Sequence, residues 1–261
     1  MGFKVSNQFG KGVNFSGWLL TEKGDTITAL HPLKFGMGNF LFTPREGSTY
    51  KAVFNLPDGG RQQKELPAAY QTGYAMRLEN TIDGHIKISV ATPKKNNVVS
   101  AGLFLFIHTR NVVKAALVNT IQNGEAVFII NDTIPGEGIS HLTVFTKNGQ
   151  PLCERLYFKK PAEILNIAAS TNHSSYGVRK KITMDIQSKT IDGKSVPANL
   201  SMAVYRVDSV NEFDKENINN YLLLSSDISG KVESPEYYFD NNDDTVKAAI
   251  DNLMLTQGWR R

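Results

Sequence analysis

Histidine, cysteine and paired acidic residues are the side chains that most often do chemistry, and this chain has few of them close together. It has five histidines: His31, His85, His108, His141 and His173. No two lie at the H-x3-H spacing of a metal site, and no P-loop or nucleophile elbow is present. The one cysteine, Cys153, has no activating neighbour, which predicts a half-buried thiol on a strand. We therefore expect no catalytic, metal or cofactor site.

Three other stretches have residue types found at binding sites. The glycines of "FGMG" (35–38) precede a strand-like run, so they cannot present a helix N-terminus to phosphate. The run "DNNDD" (240–244) lacks the glycine and the distal glutamate of an EF-hand loop, and it fits a polar loop that caps a helix. In "PEYYF" (235–239), Tyr237 and Tyr238 are candidate sugar-stacking residues, although an extended chain would point them to opposite faces.

The composition is that of a globular protein with a sizeable core, since 41% of the 261 residues are hydrophobic and 21% are charged. The net charge is +4, but the basic residues are scattered and form no stripe or known module, so we expect no nucleic-acid binding. A single cysteine excludes an internal disulfide. The first residues contain no apolar signal segment, and no run approaches the roughly 18 apolar residues of a membrane span.

Most of the chain alternates apolar and polar residues, as half-buried antiparallel strands do. In "GNFLFTP" (38–44), Phe40 and Phe42 share one face of a predicted strand. About seven strands are predicted between residues 74 and 159, the number in an immunoglobulin-like sandwich. One of them, within "AGLFLFIHTRN" (101–111), is continuously apolar, which predicts a strand buried on both faces.

The predicted strands fall into three successive units, which share an arrangement of strands but have no repeated sequence. We predict β-sandwich domains over residues 1–73, 74–160 and 161–240, and a helical extension over 241–261. Residues 159–164, "KKPAEI", look like a short linker between the second and third of these domains.

Helical patterns appear near the end of the chain. A short helix is predicted in "ENINNYLLLSSDISG" (216–230), with Ile218, Leu222 and Ser225 on one face. A longer helix follows, capped by Asp243 or Asp244 and ended by Gly258. Its apolar stripe is formed by Val246, Ala249, Ile250, Leu253 and Met254. This stripe must cover a surface, which we expect to be the third sandwich or a domain beyond the end of the chain.

Several of these stretches together resemble a known family. "FGMGNFLFTPREGSTYKAVF" (35–54) is similar to the G-x-G-x-F-x-F-x-P…G-x-x-Y-x-A signature of macroglobulin-like (MG) domains. "IPGEGISHLTVFTKNGQPLCERLYF" (134–158) resembles the next element of such arrays. "YLLLSSDISGKVESPEYYF" (221–239) and "LMLTQGWRR" (253–261) resemble a stretch of large outer-membrane proteins of Gram-negative, Bacteroides-type bacteria. In those proteins, MG-like domains precede a carboxypeptidase-regulatory-like domain and a TonB-dependent-receptor plug domain.

The resemblance implies a mainly β fold of tandem immunoglobulin-like or macroglobulin-like antiparallel β-sandwiches with a short C-terminal helical extension. It implies structural roles for Gly36 and Gly38 and core positions for four aromatic residues: Phe40, Phe42, Tyr50 and Phe54. It also implies a periplasmic or surface-facing segment of a larger envelope protein, whose signal, anchor and membrane contact lie outside this segment. The Cys-Gly-Glu-Gln thioester of protease traps is absent, so covalent trapping is not expected here.

Three functions stay open from the sequence. The first is a non-enzymatic scaffold that binds a protein partner of the cell envelope through exposed strand edges. The second is a glycan- or peptide-binding module with a site between domains and with Tyr237 and Tyr238 as contacts. The third is a macroglobulin-type protease-inhibitor fragment without a thioester. An enzyme is not expected, because no catalytic constellation is present.

Overall fold

The computed structural model describes most of the chain, namely residues 1–93, 102–163, 165–204, 217–240 and 243–258. Parts of several predicted features lie outside these residues: the first residue of the apolar run at 101, position 164 of the linker, position 216 of the predicted short helix, positions 241 and 242 of the acidic run, and residues 259–261.

The elements are numbered in chain order. The strands are β1 (Gly2–Lys4), β2 (Ser16–Thr21), β3 (Thr26–Leu30), β4 (Met37–Asn39), β5 (Tyr50–Asn55), β6 (Arg61–Glu65), β7 (Ala75–Asn80), β8 (His85–Ala91), β9 (Gly102–Thr109), β10 (Val112–Thr120), β11 (Glu125–Asn131), β12 (Gly138–Thr146), β13 (Pro151–Lys159), β14 (Asn166–Thr171) and β15 (Met184–Lys189). The helices are α1 (Ile218–Leu223), α2 (Tyr237–Asp240) and α3 (Asp244–Gln257).

The fold is mainly β and antiparallel, with a short C-terminal helical stretch, which confirms the predicted fold class. The chain forms two compact units: Met1–Lys160 together with Lys215–Arg261, and Pro161–Asp214 between them. The predicted domain boundaries at residues 73, 160 and 240 stay predictions.

The first unit begins with an aromatic core between two small sheets, one of order β3-β2-β5-β6 and one of β1 paired with β4. The four predicted core aromatics, Phe40, Phe42, Tyr50 and Phe54, all pack into it, which confirms that prediction. The predicted strand over 38–44 is wrong beyond Asn39, because β4 ends there, opposite Gly2, where its antiparallel partner β1 begins. The alternation nevertheless persists, since Phe40 and Phe42 turn inward while Leu41 is exposed.

Gly36 has a structural role in this region. Its φ of +69° is one that residues with a side chain rarely adopt, and a Cβ there would lie 2.0 Å from the Val5 carbonyl oxygen. A Cβ on Gly38 would lie 2.5 Å from the Phe3 ring. Close approach of the chain to itself therefore requires both glycines, as the sequence predicts.

Seven strands form the predicted sandwich, with β11-β8-β7 facing β10-β9-β12-β13. Inward-facing residues of both sheets alternate along the strands and form one core. These include Ile86, Ile88, Val90, Leu103, Leu105, Ile107, Phe128, Leu142 and Val144. Turns at Asp83–Gly84 and Asn148–Gly149 connect consecutive strands, with a positive φ at each glycine.

The second unit contains the antiparallel pair β14–β15. Met184 and Ile186 lie on one face of β15, together with Ile167 of β14, and all three are exposed. Asp192–Gly193, a dipeptide typical of turns, forms one, with the Thr190 amide donating to the Lys194 carbonyl at 2.9 Å. Leu200, Met202 and Val204 alternate with other residues, a pattern that predicts a strand, but the structure has none there.

Both predicted helices are present, but each packs differently from the prediction. In α1 the buried residues are Asn220 and the flanking Leu224, whereas Ile218 and Leu222 are exposed, so the predicted face is wrong. Asp243 caps α3 by accepting from the Val246 amide at 2.8 Å. The stripe of α3 packs on β13, β4 and β1 of its own unit, instead of either surface suggested by the sequence.

Candidate functional site

The sheet β10-β9-β12-β13 has an outer face that is apolar along part of its length. In β9, Leu103, Leu105 and Ile107 point into the core, so Phe104 and Phe106 between them point outward. Phe104 is 39% exposed. The prediction that this strand is buried on both faces is therefore wrong, because nothing in the described chain fully covers the outer side at this position.

Strand pairing places three apolar residues in one row on this outer face. Val118 of β10 lies directly opposite Phe104 of β9, and Phe104 lies opposite Phe145 of β12. Directly opposed residues in antiparallel strands point to the same side, about 4.5–5.5 Å apart. We call Phe104, Val118 and Phe145 the outer apolar row. Its most exposed member is Val118, at 64%.

The row reaches the edge of the sheet, because β10 pairs with β9 alone among the described strands. The ladder shifts register between Val113 and Ala115, which leaves Lys114 as the extra residue. Such a bulge, together with a lysine, is a device that protects an edge from unwanted pairing. Beyond it, residues 115–120 form a regular edge that carries no charged side chain.

The other half of the same face is covered. Ile139 of β12 and Leu156 of β13 are buried there against α3 and Leu224. Arg155 starts from the other face of the edge strand β13, opposite the core residue Leu142. It donates to the Asp251 carboxylate of α3 at 2.6 Å, and only 8% of its side chain is exposed. Burial lowers the pKa of Arg155, and the adjacent Asp251 charge and its hydrogen bond act against that shift.

A stacked histidine pair lies between the two halves. Strand register brings His108 of β9 opposite His141 of β12, with ring centroids 4.8 Å apart and planes nearly parallel. The Glu154 carboxylate lies 3.3 Å from Nδ1 of His141 and accepts from the Thr143 hydroxyl at 2.9 Å. No spacing in the sequence indicates this polar cluster, because strand pairing brings its members together.

A cavity of about 280 Å³ opens where the sandwich meets the C-terminal helices. We call it the helix-side cavity. Its polar lining includes Asn80, Asp132, Tyr157, Lys159, Lys160, Lys247 and Asp251, and its apolar lining includes Val246, Ile250 and Met254. The Tyr157 hydroxyl donates to the Asn80 side-chain oxygen at 3.3 Å. Burial, followed by the nearby Asp132 and Asp251 charges, raises the pKa of Tyr157, so this hydroxyl keeps its proton.

The two candidate tyrosines lie in a helical turn instead of an extended strand. Tyr238 is 1% exposed, and it both packs in the core under α3 and lines the helix-side cavity. Tyr237 is half-buried, packs edge-on against Phe35, and has the Lys34 ammonium 4.9 Å from its ring centre. The rings contact each other at 79°, so they form no flat platform. Their role in ligand binding stays a prediction.

The remaining candidate groups are structural in character. Cys153 is half-buried on β13, as predicted, and burial raises the pKa of its thiol to about 11, which keeps it protonated at neutral pH. Among the described residues, no three His, Cys, Asp or Glu side chains converge closely enough to hold a metal ion. No helix within the described part of the chain is long and apolar enough to cross a bilayer.

No family model matches the chain, and no curated protein sequence matches it. The resemblance to MG-domain proteins therefore stays a prediction from the residues that carry it.

Proposed function

We propose that this chain is a non-enzymatic interaction segment of a larger cell-envelope protein and that it docks a protein partner on the open half of its sandwich. The observation that supports the proposal is the outer apolar row, which runs without interruption to an open strand edge. The envelope setting rests on the resemblance to MG-domain outer-membrane proteins.

The docking mode follows from the geometry of the edge. Among the described strands, β10 has a neighbour on one side only, so an extended partner segment can add along its other side as a further strand. Apolar side chains of that segment would pack beside Val118 and Phe104, burying part of their exposed surface. Burial of apolar surface contributes about 25 cal/mol per Å². Main-chain pairing would provide affinity, and the row would select apolar side chains at alternate positions.

A substitution on the row tests the proposal against a matched control. Val118→Asp places a charge in the row, whereas Ile129→Asp places one on β11, where the exposure is almost the same, 64% against 65%. Ile129 lies opposite Lys87, so its surroundings are already charged. Each immobilised protein is used to capture material from detergent-solubilised Gram-negative envelope, and captured proteins are identified by mass spectrometry.

We expect the wild-type chain and Ile129→Asp to retain the same outer-membrane barrel or lipoprotein, and Val118→Asp to lose it at least about tenfold, because a desolvated carboxylate opposes docking. Capture by all three proteins alike would contradict docking on the row. Capture no better than with an unrelated β-sandwich would contradict the interaction function itself.

A further inference from the structure

We propose that the helix-side cavity binds a carboxylated sugar ring of the hexuronate type. This site lies apart from the outer apolar row, and the inference does not rest on the docking function. Three features of the lining support it: an excess of positive charge, polar groups with spare hydrogen-bonding capacity, and an apolar wall on α3.

The first feature is charge. Lys159, Lys160 and Lys247 surround the cavity, against the carboxylates of Asp132 and Asp251. Asp251 is already balanced by the buried Arg155 at 2.6 Å. Lys247 is likewise paired with the exposed Asp244 at 3.1 Å, which leaves Lys159 and Lys160 against Asp132. Positive charge therefore exceeds negative charge around the cavity, and an anionic group on the ligand is favoured over a cationic one. A carboxylate receives charge-assisted hydrogen bonds from lysine ammonium groups.

The second feature is the set of neutral and acidic groups that suits hydroxyls. The Asp132 carboxylate accepts no hydrogen bond from the described residues, although the backbone carbonyl of Asp132 is bound by Lys159 at 2.9 Å. The side-chain oxygen of Asn80 accepts from the Tyr157 hydroxyl. Its amide N–H groups donate to no other described residue. Donors and acceptors side by side match the alternating hydroxyls of a sugar, each of which both donates and accepts.

The third feature is the apolar wall. Val246, Ile250 and Met254 recur at four-residue intervals on α3, so they line one side of the cavity as a continuous strip. Val246 and Met254 are 4% and 2% exposed, so the C–H face of a sugar ring would pack chiefly on the half-buried Ile250. The volume of about 280 Å³ lies just below the roughly 300–1,000 Å³ typical of ligand pockets, which favours one ring over a chain.

The test is a saturation-transfer NMR titration of the full chain with sodium glucuronate, with glucose and inorganic phosphate as comparison ligands at constant ionic strength. Lys247→Ala removes a charge at the cavity, and Lys64→Ala removes one on the distant strand β6. Circular dichroism melts establish that each variant is folded. We expect glucuronate to bind about tenfold more weakly to Lys247→Ala and unchanged to Lys64→Ala.

Asp132→Asn separates a sugar site from a general anion site. Loss of this negative charge should strengthen phosphate binding, whereas glucuronate should bind several-fold more weakly because its hydroxyls lose a charged acceptor. Stronger binding of both ligands to this variant would overturn the sugar assignment. It would also be overturned by no glucuronate signal at about 10 mM, by equal binding of glucose, or by an unchanged affinity in Lys247→Ala.

Discussion

One sheet face in the first unit has a covered half and an open half, and both are built from the same alternating pattern. Ile139 and Leu156 in the covered half are almost fully buried, whereas Phe104 and Val118 in the open half are 39% and 64% exposed. All four point outward from the same four strands. The strand pattern sets which side chains face outward, and a later segment of the chain decides which of them are buried.

The polar anchors of the two halves also differ. The covered half is joined to α3 by the Arg155–Asp251 ion pair, and the Asn39 amide donates to the Asn252 oxygen where α3 meets β4. The row in the open half carries no charged side chain. Polar anchors fix the position of a permanent cover, while an uncharged row tolerates more than one partner geometry. This contrast is what makes the open half the candidate docking surface.

Removal of the cover is expected to have the largest effect. Truncation after Asp240 deletes α3, whose buried side chains include Val246, Leu253 and Met254. It exposes Leu156 and Met37, which pack against them. We expect a loss of at least about 5 kcal/mol in the free energy of unfolding and a Tm lower by about 10–20 °C, measured by calorimetry.

Truncation after Gly258 is the matched control, since it removes residues 259–261 and keeps the whole of α3. We expect its Tm to stay within about 2 °C of the full chain. Equal melting of the full chain and the Asp240 truncation would show that α3 does not stabilise this unit.

Single truncations of side chains compare the two halves directly. Leu156→Ala should lower the free energy of unfolding by about 3 kcal/mol, because its cavity is enclosed by Ile139 and Leu253. Phe104→Ala should cost about 1 kcal/mol, because part of its ring is already in water. Urea denaturation followed by circular dichroism measures both. Equal costs would remove the physical distinction between the halves.

Local patterns were sufficient to predict much of this unit. The seven strands of the sandwich and the cap at the start of α3 follow from alternation, turn residues and helix spacing. Each of these depends on residues that are neighbours in sequence. The half-buried state of Cys153 follows in the same way from its place on an alternating strand.

Long-range contacts could not be predicted from such patterns. The continuous apolar run in β9 gave no sign that Phe104 would lack a full cover, since that depends on where α3 docks. The same limitation applies to the His108–His141 stack and to the helix-side cavity, whose lining comes from β7, β13 and α3. The sequence indicates Tyr238 only as one of two adjacent tyrosines. Its burial under α3 depends on a contact between distant parts of the chain.

The ion pair that anchors the cover is expected to have the next largest effect. Asp251→Ala leaves the guanidinium of Arg155 buried without its carboxylate. Loss of a fully buried partner costs about 3–5 kcal/mol, and because the Asp251 side chain is 45% exposed we expect about 2 kcal/mol. The neighbouring Lys247–Asp244 pair is exposed, so Asp244→Ala should cost under about 0.5 kcal/mol. Similar costs in urea denaturation would mean that the buried pair does not anchor α3.

The smallest effect is expected at the start of α3, the helix that packs on the covered half. Asp243→Ala removes the carboxylate that accepts from the Val246 amide, leaving that donor without its cap. The usual cost of such a change to the free energy of unfolding is about 1 kcal/mol.

The comparison variant is Asn217→Ala, which removes the cap of α1, because the Asn217 side chain accepts from the amides of Asn219 and Asn220. Because α1 has six residues and α3 has fourteen, fraying of α1 should expose less of the covered half. We therefore expect hydrogen exchange at Leu156 and Phe158 to accelerate in Asp243→Ala and to change little in Asn217→Ala. Faster exchange of β13 amides in both variants alike would show that the short helix contributes as much to the cover as α3.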